Sequence, residues 1–200
     1  TSPVFWKGRG RSESAAVVVP FDADRLAVEA AKRDPGAFEQ LYRKYVAQIY
    51  SLALYETRDP HAAEDNTEGV FLKAFAALPR FREQGEGEES TFKTWLYAIA
   101  RNVISNERRR GRRHPEDPIE LALDLRAPDD PAATALTRLE ARRALEAVME
   151  LPPERRQAVV LRFVNELSAR EIGEIMGKSE GAVRVLIHRA LLSVRQRLEP

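Results

Sequence analysis

The residues whose types and spacing best suit a binding role lie near the C-terminus, on one side of a helix predicted to follow Ser179. Arginine and histidine can donate hydrogen bonds to DNA bases and phosphates, and small neighbours let a helix enter the major groove. The candidate members of this face are Ser179, Glu180, Gly181, Arg184, Val185, His188 and Arg189. Arg184 and His188 lie one turn apart and could reach base edges, while Arg189 serves a phosphate. The pattern predicts a DNA-binding helix, although a hairpin with merely solvated basic residues would have a similar sequence.

Two short helices with a tight turn between them are predicted to hold this face. Ser168 and Glu171 have the spacing of a capping box, in which hydroxyl and carboxylate satisfy free backbone N–H groups reciprocally. Gly177 permits the left-handed conformation that ends a helix, and Ser179 can cap the next one. The positions expected to point inward are Ile172, Ile175 and Met176 in the first helix, and Val183, Ile187, Ala190, Leu191 and Val194 in the second. The stretch is therefore typical of a helix-turn-helix.

A second candidate DNA-binding segment is the end of a helix predicted to begin near Thr91. Between Arg101 and Arg113 the chain has six arginines and one glutamate, so the local charge is about +5. Cations are favourable at the C-terminal end of a helix dipole, which explains two or three of these arginines. Six are costly in self-repulsion unless a polyanion approaches, so contact with DNA phosphates is the favoured interpretation.

The charge then reverses in a proline-interrupted segment. Between Pro115 and Ala133 there are six acidic residues, one arginine and four prolines. This composition predicts a flexible acidic linker at 114–133, which could equally be a plain solvated tether. It separates a helical domain at 21–113 from a second at 134–200, and residues 1–20 are predicted to form a mobile N-terminal arm. Helical spacing without strand-like alternation makes the predicted fold all-α, with two small domains.

Composition narrows the possible functions. The 200-residue chain contains no cysteine, which excludes disulfides, thiol catalysis and zinc–thiolate sites. Its three histidines are scattered, so no metal site and no cofactor is expected. No apolar run has the length of a membrane span and no secretory signal is visible, so a cytoplasmic location is expected. The net charge of +1 means that any nucleic-acid contact must be local.

Three sequence motifs are most informative when their order and their spacing around the acidic segment are considered together. They are AEDNTEGVFLKAF at 63–75, TFKTWLYAIARN at 91–102 and ELSAREIGEIMGKSEGAVRVLIHRA at 166–190. Together they resemble bacterial sigma factors of the extracytoplasmic-function (ECF) group, over about residues 38–198. The resemblance implies that the first domain binds core RNA polymerase and the minus-ten promoter element, and that the second binds the minus-thirty-five element. Two mobile domains with apolar and basic surface also predict an anti-sigma partner.

The resemblance also implies roles for residues of the third and fourth predicted helices. The implied polymerase-binding residues, on or behind the contact surface, are Asp65, Glu68, Phe71 and Leu72. The implied minus-ten residues are Phe92, Trp95, Arg101, Asn102, Arg108 and Arg109. Among these, Asn102 would lie near bases, and Phe92 with the polar loop at 82–90 would form a pocket for a base turned out of the stack.

Five positions depart from the family pattern. Asn66 stands where an apolar residue is usual, and Glu68 and Gly69 replace the usual glutamine and acidic residue. These changes predict an altered polymerase contact. Val185 and Leu186 occupy a stretch that is commonly polar or basic, which predicts an altered upstream preference or an apolar surface for an inhibitory partner.

Three alternatives remain from the sequence. A conventional helix-turn-helix regulator would bind a palindromic operator as a dimer, but it leaves the arginine cluster and acidic segment without a role. An enzyme acting on nucleic acid could use Glu64, Asp65 and Glu68 as metal ligands, although neighbouring acids on a helix point in different directions. A sigma-like protein with altered polymerase binding is the third.

Overall fold

The computed structural model describes residues 22–84, 90–109 and 135–199, without the side chains of 107–109 and 135–138. Several predictions lie outside the described residues. These are the N-terminal arm at 1–20, the acidic linker at 114–133, the middle of the polar loop, and the side-chain contacts of Arg108 and Arg109.

Four helices form the first module: α1 (Ala23–Arg33), α2 (Phe38–Thr57), α3 (Pro60–Ala77) and α4 (Phe92–Arg109). Aspartates at Asp22 and Asp59 begin α1 and α3, because each carboxylate accepts a hydrogen bond from a backbone N–H of the first turn. Two short 3-10 turns, Pro35–Ala37 and Leu78–Arg80, follow α1 and α3. The core between the helices includes Leu41, Tyr45, Ile49, Leu52, Val70, Phe92 and Leu96. This module holds α4 against α3 and α2.

The second module contains α5 (Ala135–Met149), α6 (Pro153–Val159), α7 (Ala169–Met176) and α8 (Glu180–Leu198). Between α6 and α7 lies a π-helical turn, Val160–Val164. Helix α8 packs on α5, α6 and α7. Every regular element in the three described ranges is helical, and the predicted all-α, two-domain architecture is confirmed.

The predicted capping interactions of the helix-turn-helix are all present. The Ser168 N–H donates to Glu171 Oε2 at 2.7 Å, and the Glu171 N–H donates to Ser168 Oγ at 3.2 Å. Gly177 ends α7 with a φ of 66°. Ser179 Oγ accepts from the Ala182 N–H at 3.2 Å and begins α8. These local interactions fix the angle at which α8 leaves the turn.

The inward stripe of α8 is narrower than the sequence suggested. Val183 and Ala190 are buried, and Ile187 and Val194 are partly buried. Leu191 was predicted to point inward, and this was wrong: 44% of the residue is exposed. One residue beyond Ala190 is a rotation of about 100° around the helix, which carries the leucine out of the stripe.

The two modules are in contact, which the sequence did not predict. Helix α7 packs on α4, and the π-helical turn packs on α2. Buried residues of both modules, from Ala27 in α1 to Val183 in α8, belong to one continuous apolar cluster.

Candidate DNA-binding and polymerase-binding surfaces

The outer face of α8 carries the predicted upstream-element residues. All seven positions, Ser179, Glu180, Gly181, Arg184, Val185, His188 and Arg189, are exposed. Ser179 already uses its hydroxyl as the helix cap, so its side chain positions the helix. The buried residues of α8, Val183 and Ala190, lie on the opposite side, so among the described residues this face is left exposed and could enter a DNA groove.

Arg184 is oriented by a neighbour on its own helix. Its Nη2 lies 2.5 Å from Oε1 of Glu180, one turn earlier. Exposed pairs of this kind contribute about 0.3–0.5 kcal/mol. The guanidinium can therefore leave the carboxylate and bind a base edge at little cost in free energy. Before DNA binds, the ion pair with Glu180 restricts the orientation of the Arg184 side chain.

Helix α4 presents a different surface from the one predicted. Phe92 was implied as a wall of the base pocket, but the residue is 0% exposed. Its ring packs against Tyr45, Phe81 and Trp95, with centroids 5.9, 5.9 and 5.5 Å away. This part of the prediction was wrong, because the ring of Phe92 is buried in the core and anchors the first turn of α4 there. A base could not contact the ring in this arrangement.

Trp95 and Asn102 share a side of α4, since residues seven apart return to nearly the same angle. Trp95 is partly buried against Phe81, at 4.8 Å between ring centroids, while Asn102 is exposed. Arg101 is partly buried and lies about 100° away around the helix. The structure thus brings an aromatic edge and an amide together on one face, and separates Arg101 from them.

The start of α4 is fixed by two carboxylates that the sequence interpretation missed. Glu83 accepts from the Thr91 N–H at 2.7 Å and from the Ser90 hydroxyl at 2.7 Å. Asp22, the cap of α1, also accepts from the Ser90 N–H. Burial raises the pKa of Asp22, but hydrogen bonds from Ser90 and Asp24 outweigh it, so the pKa lies below its ordinary value. Residue spacing gives no signal for these contacts, because Asp22 and Ser90 are 68 positions apart.

An apolar groove of about 710 Å³ lies between α2 and α3. Its lining residues are Phe38, Tyr42, Val46, Ala47, Tyr50, Glu64, Thr67, Glu68, Phe71, Leu72 and Phe75. Three of the four implied polymerase-binding residues, Glu68, Phe71 and Leu72, line this groove. Asp65 is exposed on α3 but does not line it. Leu72 is 62% exposed, which is high for a large apolar side chain and is typical of a binding surface.

The α2 side of the groove was not anticipated from sequence. Tyr42 and Tyr50 lie eight residues apart on α2, with Val46 between them. Tyr42 packs edge-on against Phe71 at 4.8 Å between centroids. The four-residue spacing of Tyr42, Val46 and Tyr50 is the sequence feature that could have indicated the groove. The same spacing is equally typical of a helix face that packs in the core.

Only one of the three α3 departures reaches the groove. Asn66 is buried, and its Nδ2 donates to the Ala62 carbonyl at 2.6 Å, so the amide is satisfied within its own helix. A Cβ at Gly69 would lie 3.8 Å from Cγ1 of Val103 on α4. Asn66 and Gly69 therefore face the inside of the module, and Glu68 alone of the three lines the groove.

The described ranges contain neither a metal-binding cluster nor a membrane-spanning helix. No cluster of three or more histidine, cysteine, aspartate or glutamate side chains is arranged to hold a metal ion there. Within the same ranges, no helix has both the length and the apolar character that crossing a membrane requires.

Comparison with known proteins identifies two family regions in this chain. The family model "Sigma-70 region 2" matches residues 41–114, and "Sigma-70, region 4" matches residues 141–194. Two solved structures share the fold: CnrH in complex with the cytosolic domain of CnrY (TM-score 0.66, 23% identity, 89% of this chain and 98% of that one), and the sigma factor RpoE in complex with the anti-sigma factor NepR from Bartonella quintana (TM-score 0.60, 22% identity, 81% and 96%).

Curated relatives are more similar in sequence. The ECF RNA polymerase sigma factor BldN of Streptomyces coelicolor is 32% identical over 177 residues, which cover 86% of this chain and 64% of that protein. RNA polymerase sigma-H factor of Pseudomonas aeruginosa is 32% identical over 193 residues, covering 90% of this chain and 95% of that protein. The ECF sigma factor SigM of Mycobacterium tuberculosis is 31% identical, covering 84% and 80%. With both sigma-70 regions in order and relatives at this identity along most of its length, the chain belongs to the ECF group of bacterial sigma factors.

Proposed function

We propose that this sigma factor directs core RNA polymerase to promoters through three separate surfaces of the described structure. The α2–α3 groove binds polymerase, the Trp95–Asn102 face of α4 binds the minus-ten element, and the outer face of α8 binds the minus-thirty-five element. The observation that carries the proposal is the presence, in one chain, of an exposed apolar groove and a distant helix face with Arg184 and His188. A single-operator regulator would need only the second.

The groove fits a helical segment of polymerase. Its floor is aromatic and aliphatic, whereas Glu64 and Glu68 add acidic groups to its lining. An amphipathic helix with basic flanks would bury Leu72 and pair with these carboxylates. Burying an exposed leucine contributes about 1.5–3 kcal/mol, so this side chain is the natural anchor of the contact.

On α4, Trp95 takes the base-contacting role that the sequence interpretation had given to Phe92 and the polar loop. A base turned out of the duplex costs a few kcal/mol, which stacking on an aromatic ring and hydrogen bonds offset. Trp95 supplies aromatic surface and Asn102 supplies an amide that can bond to a base edge. Arg101 and the implied contacts of Arg108 and Arg109 serve phosphates.

On this proposal the chain supplies binding, and the chemistry of transcription belongs to polymerase, so the protein is not itself an enzyme. It acts in the cytoplasm, where bacterial polymerase and promoter DNA meet. Its regulatory partner is an anti-sigma factor, which is supported by the anti-sigma complex of the similar RpoE fold.

Run-off transcription with purified core polymerase tests the proposal. Added protein should produce new transcripts from promoters that core polymerase alone ignores, and sequencing of the transcript starts should show two unlike elements upstream. Binding to one palindromic site as a dimer, with no new start, would instead support an operator-binding regulator. No new start, together with weakened binding to core polymerase, would support the sigma-like protein with altered polymerase binding.

A further inference from the structure

Two apolar side chains lie on the outermost line of α8. Val185 and Leu192 are 48% and 47% exposed. They are seven residues apart, so they lie at nearly the same angle around the helix. The buried residues Val183 and Ala190 lie about 140–160° away from Val185, at about 100° per residue. Val185 therefore projects from α8 in almost the opposite direction to the core.

Helix formation does not account for a valine at this position. β-branched side chains lose χ1 freedom in a helix, and an alanine or a long charged residue would be more favourable on an exposed face. Burial does not account for it either, since Val185 is half exposed. An exposed apolar group at the centre of a binding face is typical of a contact that forms only with a partner.

The side chains around Val185 favour DNA over protein as that partner. His188 lies about 60° to one side of it and Arg189 about 40° to the other side, and Arg184 precedes it along the chain. All three are exposed and can donate hydrogen bonds to bases or phosphates. An apolar group between such donors matches the floor of a major groove with phosphates on both sides. A protein partner would instead need acidic groups to pair with these cations.

Gly181 lets this part of α8 approach a groove closely. It lies one turn before Val185, and a Cβ at this position would have no atom within 4 Å. A valine side chain is short, so it reaches base edges only if the helix comes near the floor of the groove, and a large residue at 181 would hold the helix away. Val185 is the sixth residue of α8, in the N-terminal part that a recognition helix directs at base edges.

Thymine is the base whose chemistry matches a valine. It carries the one methyl group that the four bases present in the major groove, where the other bases are distinguished by hydrogen-bond donors and acceptors. A valine can cover this C5-methyl with its own methyl groups and exclude water from it. Arg184 cannot make the same distinction, because a guanidinium recognises acceptors, above all those of guanine.

We propose that Val185 recognises the C5-methyl group of a thymine in the minus-thirty-five element. This inference rests on the proposed function, because it assumes that the outer face of α8 binds that element. It gives the face two kinds of recognition, since Arg184 selects a base with acceptors and Val185 selects a base with an apolar group. Leu192 lies about 10 Å farther along the helix axis and is too distant to contact the same base.

Removal of one methyl group from the DNA tests this proposal. The probe is a fluorescent promoter fragment identified from the transcript starts, in which each thymine of the upstream element, on either strand, is replaced in turn by deoxyuridine. Uracil pairs as thymine does and lacks only the C5-methyl. One of these replacements should lower the affinity of the polymerase that contains the wild-type protein about three- to fivefold, which corresponds to one buried methyl group. Replacing a thymine between the two elements should leave the affinity unchanged.

Val185→Ala should lose this difference and bind the thymine and uracil fragments alike. The four affinities form a double-mutant cycle that isolates the contact between valine and the methyl group. Leu191→Ala is the matched control, because Leu191 is also an exposed apolar residue of α8 but lies about 120° around the helix from Val185. It should retain the full difference. Circular dichroism of each variant checks that its helices remain formed.

Two outcomes would overturn the proposal: equal wild-type affinity for thymine and uracil at every upstream position, or a difference that persists in Val185→Ala. In both cases, continued binding of the upstream element would leave the proposed function standing. If Val185→Ala distinguishes the two fragments as the wild type does but no longer binds a copurifying regulatory protein, the residue belongs to a protein interface and the proposal also fails. If no upstream sequence affects binding at all, the proposed function fails together with this inference.

Discussion

At the scale of single residues, we propose that recognition of the upstream element depends most on Arg184. The guanidinium is exposed on the outer face of α8, where Glu180 orients it, and a bidentate contact to a guanine would use two of its N–H groups. His188, one turn further along, adds a second donor on the same face.

We expect Arg184→Ala to weaken binding of the preferred upstream element by about 1–3 kcal/mol, or roughly 5- to 150-fold, and to relax discrimination at one base pair. Fluorescence anisotropy with matched and singly mismatched duplexes measures both effects. Arg195→Ala is the control, because Arg195 is also an exposed α8 arginine paired with a glutamate four residues away, Glu199, but lies near the end of the helix. Equal losses in the two variants would contradict the assignment.

For polymerase binding, we propose that Leu72 has the corresponding role in the α2–α3 groove. Leu72→Ala removes an exposed apolar side chain, so it should lower affinity for core polymerase about tenfold or more while leaving the folding stability unchanged. Leu26→Ala is the matched control, since Leu26 is 53% exposed on α1 but does not line the groove. Competition binding to polymerase, together with thermal unfolding, separates the two effects. Similar affinities for both variants would place the polymerase contact elsewhere.

At the scale of elements, the helix-turn-helix is shaped by two glycines with different roles. Gly177 supplies a positive φ that ends α7. Gly173 instead allows close approach, because a Cβ at this position would lie 2.6 Å from the Lys178 carbonyl oxygen. The turn folds back over α7 only because that carbon is missing, and α8 takes its angle from the turn.

Gly173→Ala should therefore destabilise the protein by about 1–3 kcal/mol, since the backbone of the turn must shift, and it should also weaken upstream-element binding. Gly181→Ala is the contrasting variant, because its Cβ would meet no atom within 4 Å and helix propensity would favour alanine. Its stability should be equal or slightly higher. Chemical denaturation of both variants checks the difference, and equal midpoints would show that the turn accommodates a methyl group.

At the scale of the whole molecule, Glu171 connects the helix-turn-helix to the first module. It receives the Ser168 N–H inside the capping box and pairs with Lys93 across the contact. Burial raises the pKa of Glu171, but the hydrogen bonds from Ser168 and the ammonium of Lys93 outweigh it, so the pKa lies below its ordinary value of 4.5. A carboxylate with a lowered pKa stabilises the folded state above the pKa of the unfolded chain, and this contribution is lost as pH falls through the folded value.

Stability should accordingly decline below about pH 4.5 more steeply in the wild type than in Glu171→Gln, because glutamine keeps a cap acceptor but cannot titrate. Glu174→Gln, an exposed position of the same helix, is the control and should retain the wild-type slope. Urea denaturation from pH 3 to 7, a range of about four units, measures how steeply the free energy of unfolding of each variant changes with pH. Parallel curves for wild type and Glu171→Gln would remove Glu171 from the acid sensitivity.

The sequence by itself determined the helices, their caps, the helix-turn-helix and the outer face of α8, because these features depend on residues within one or two turns of each other. It also determined the family, since three motifs in the right order are a property of the chain alone. Only the tertiary structure decided that Phe92 is core, that Leu191 is exposed, that α2 forms half of the α2–α3 groove and that Asp22 and Glu83 hold the start of α4. It alone revealed the contact between the modules. Those features depend on which side of each helix meets another helix far away in sequence, and periodicity fixes an apolar side without specifying its partner.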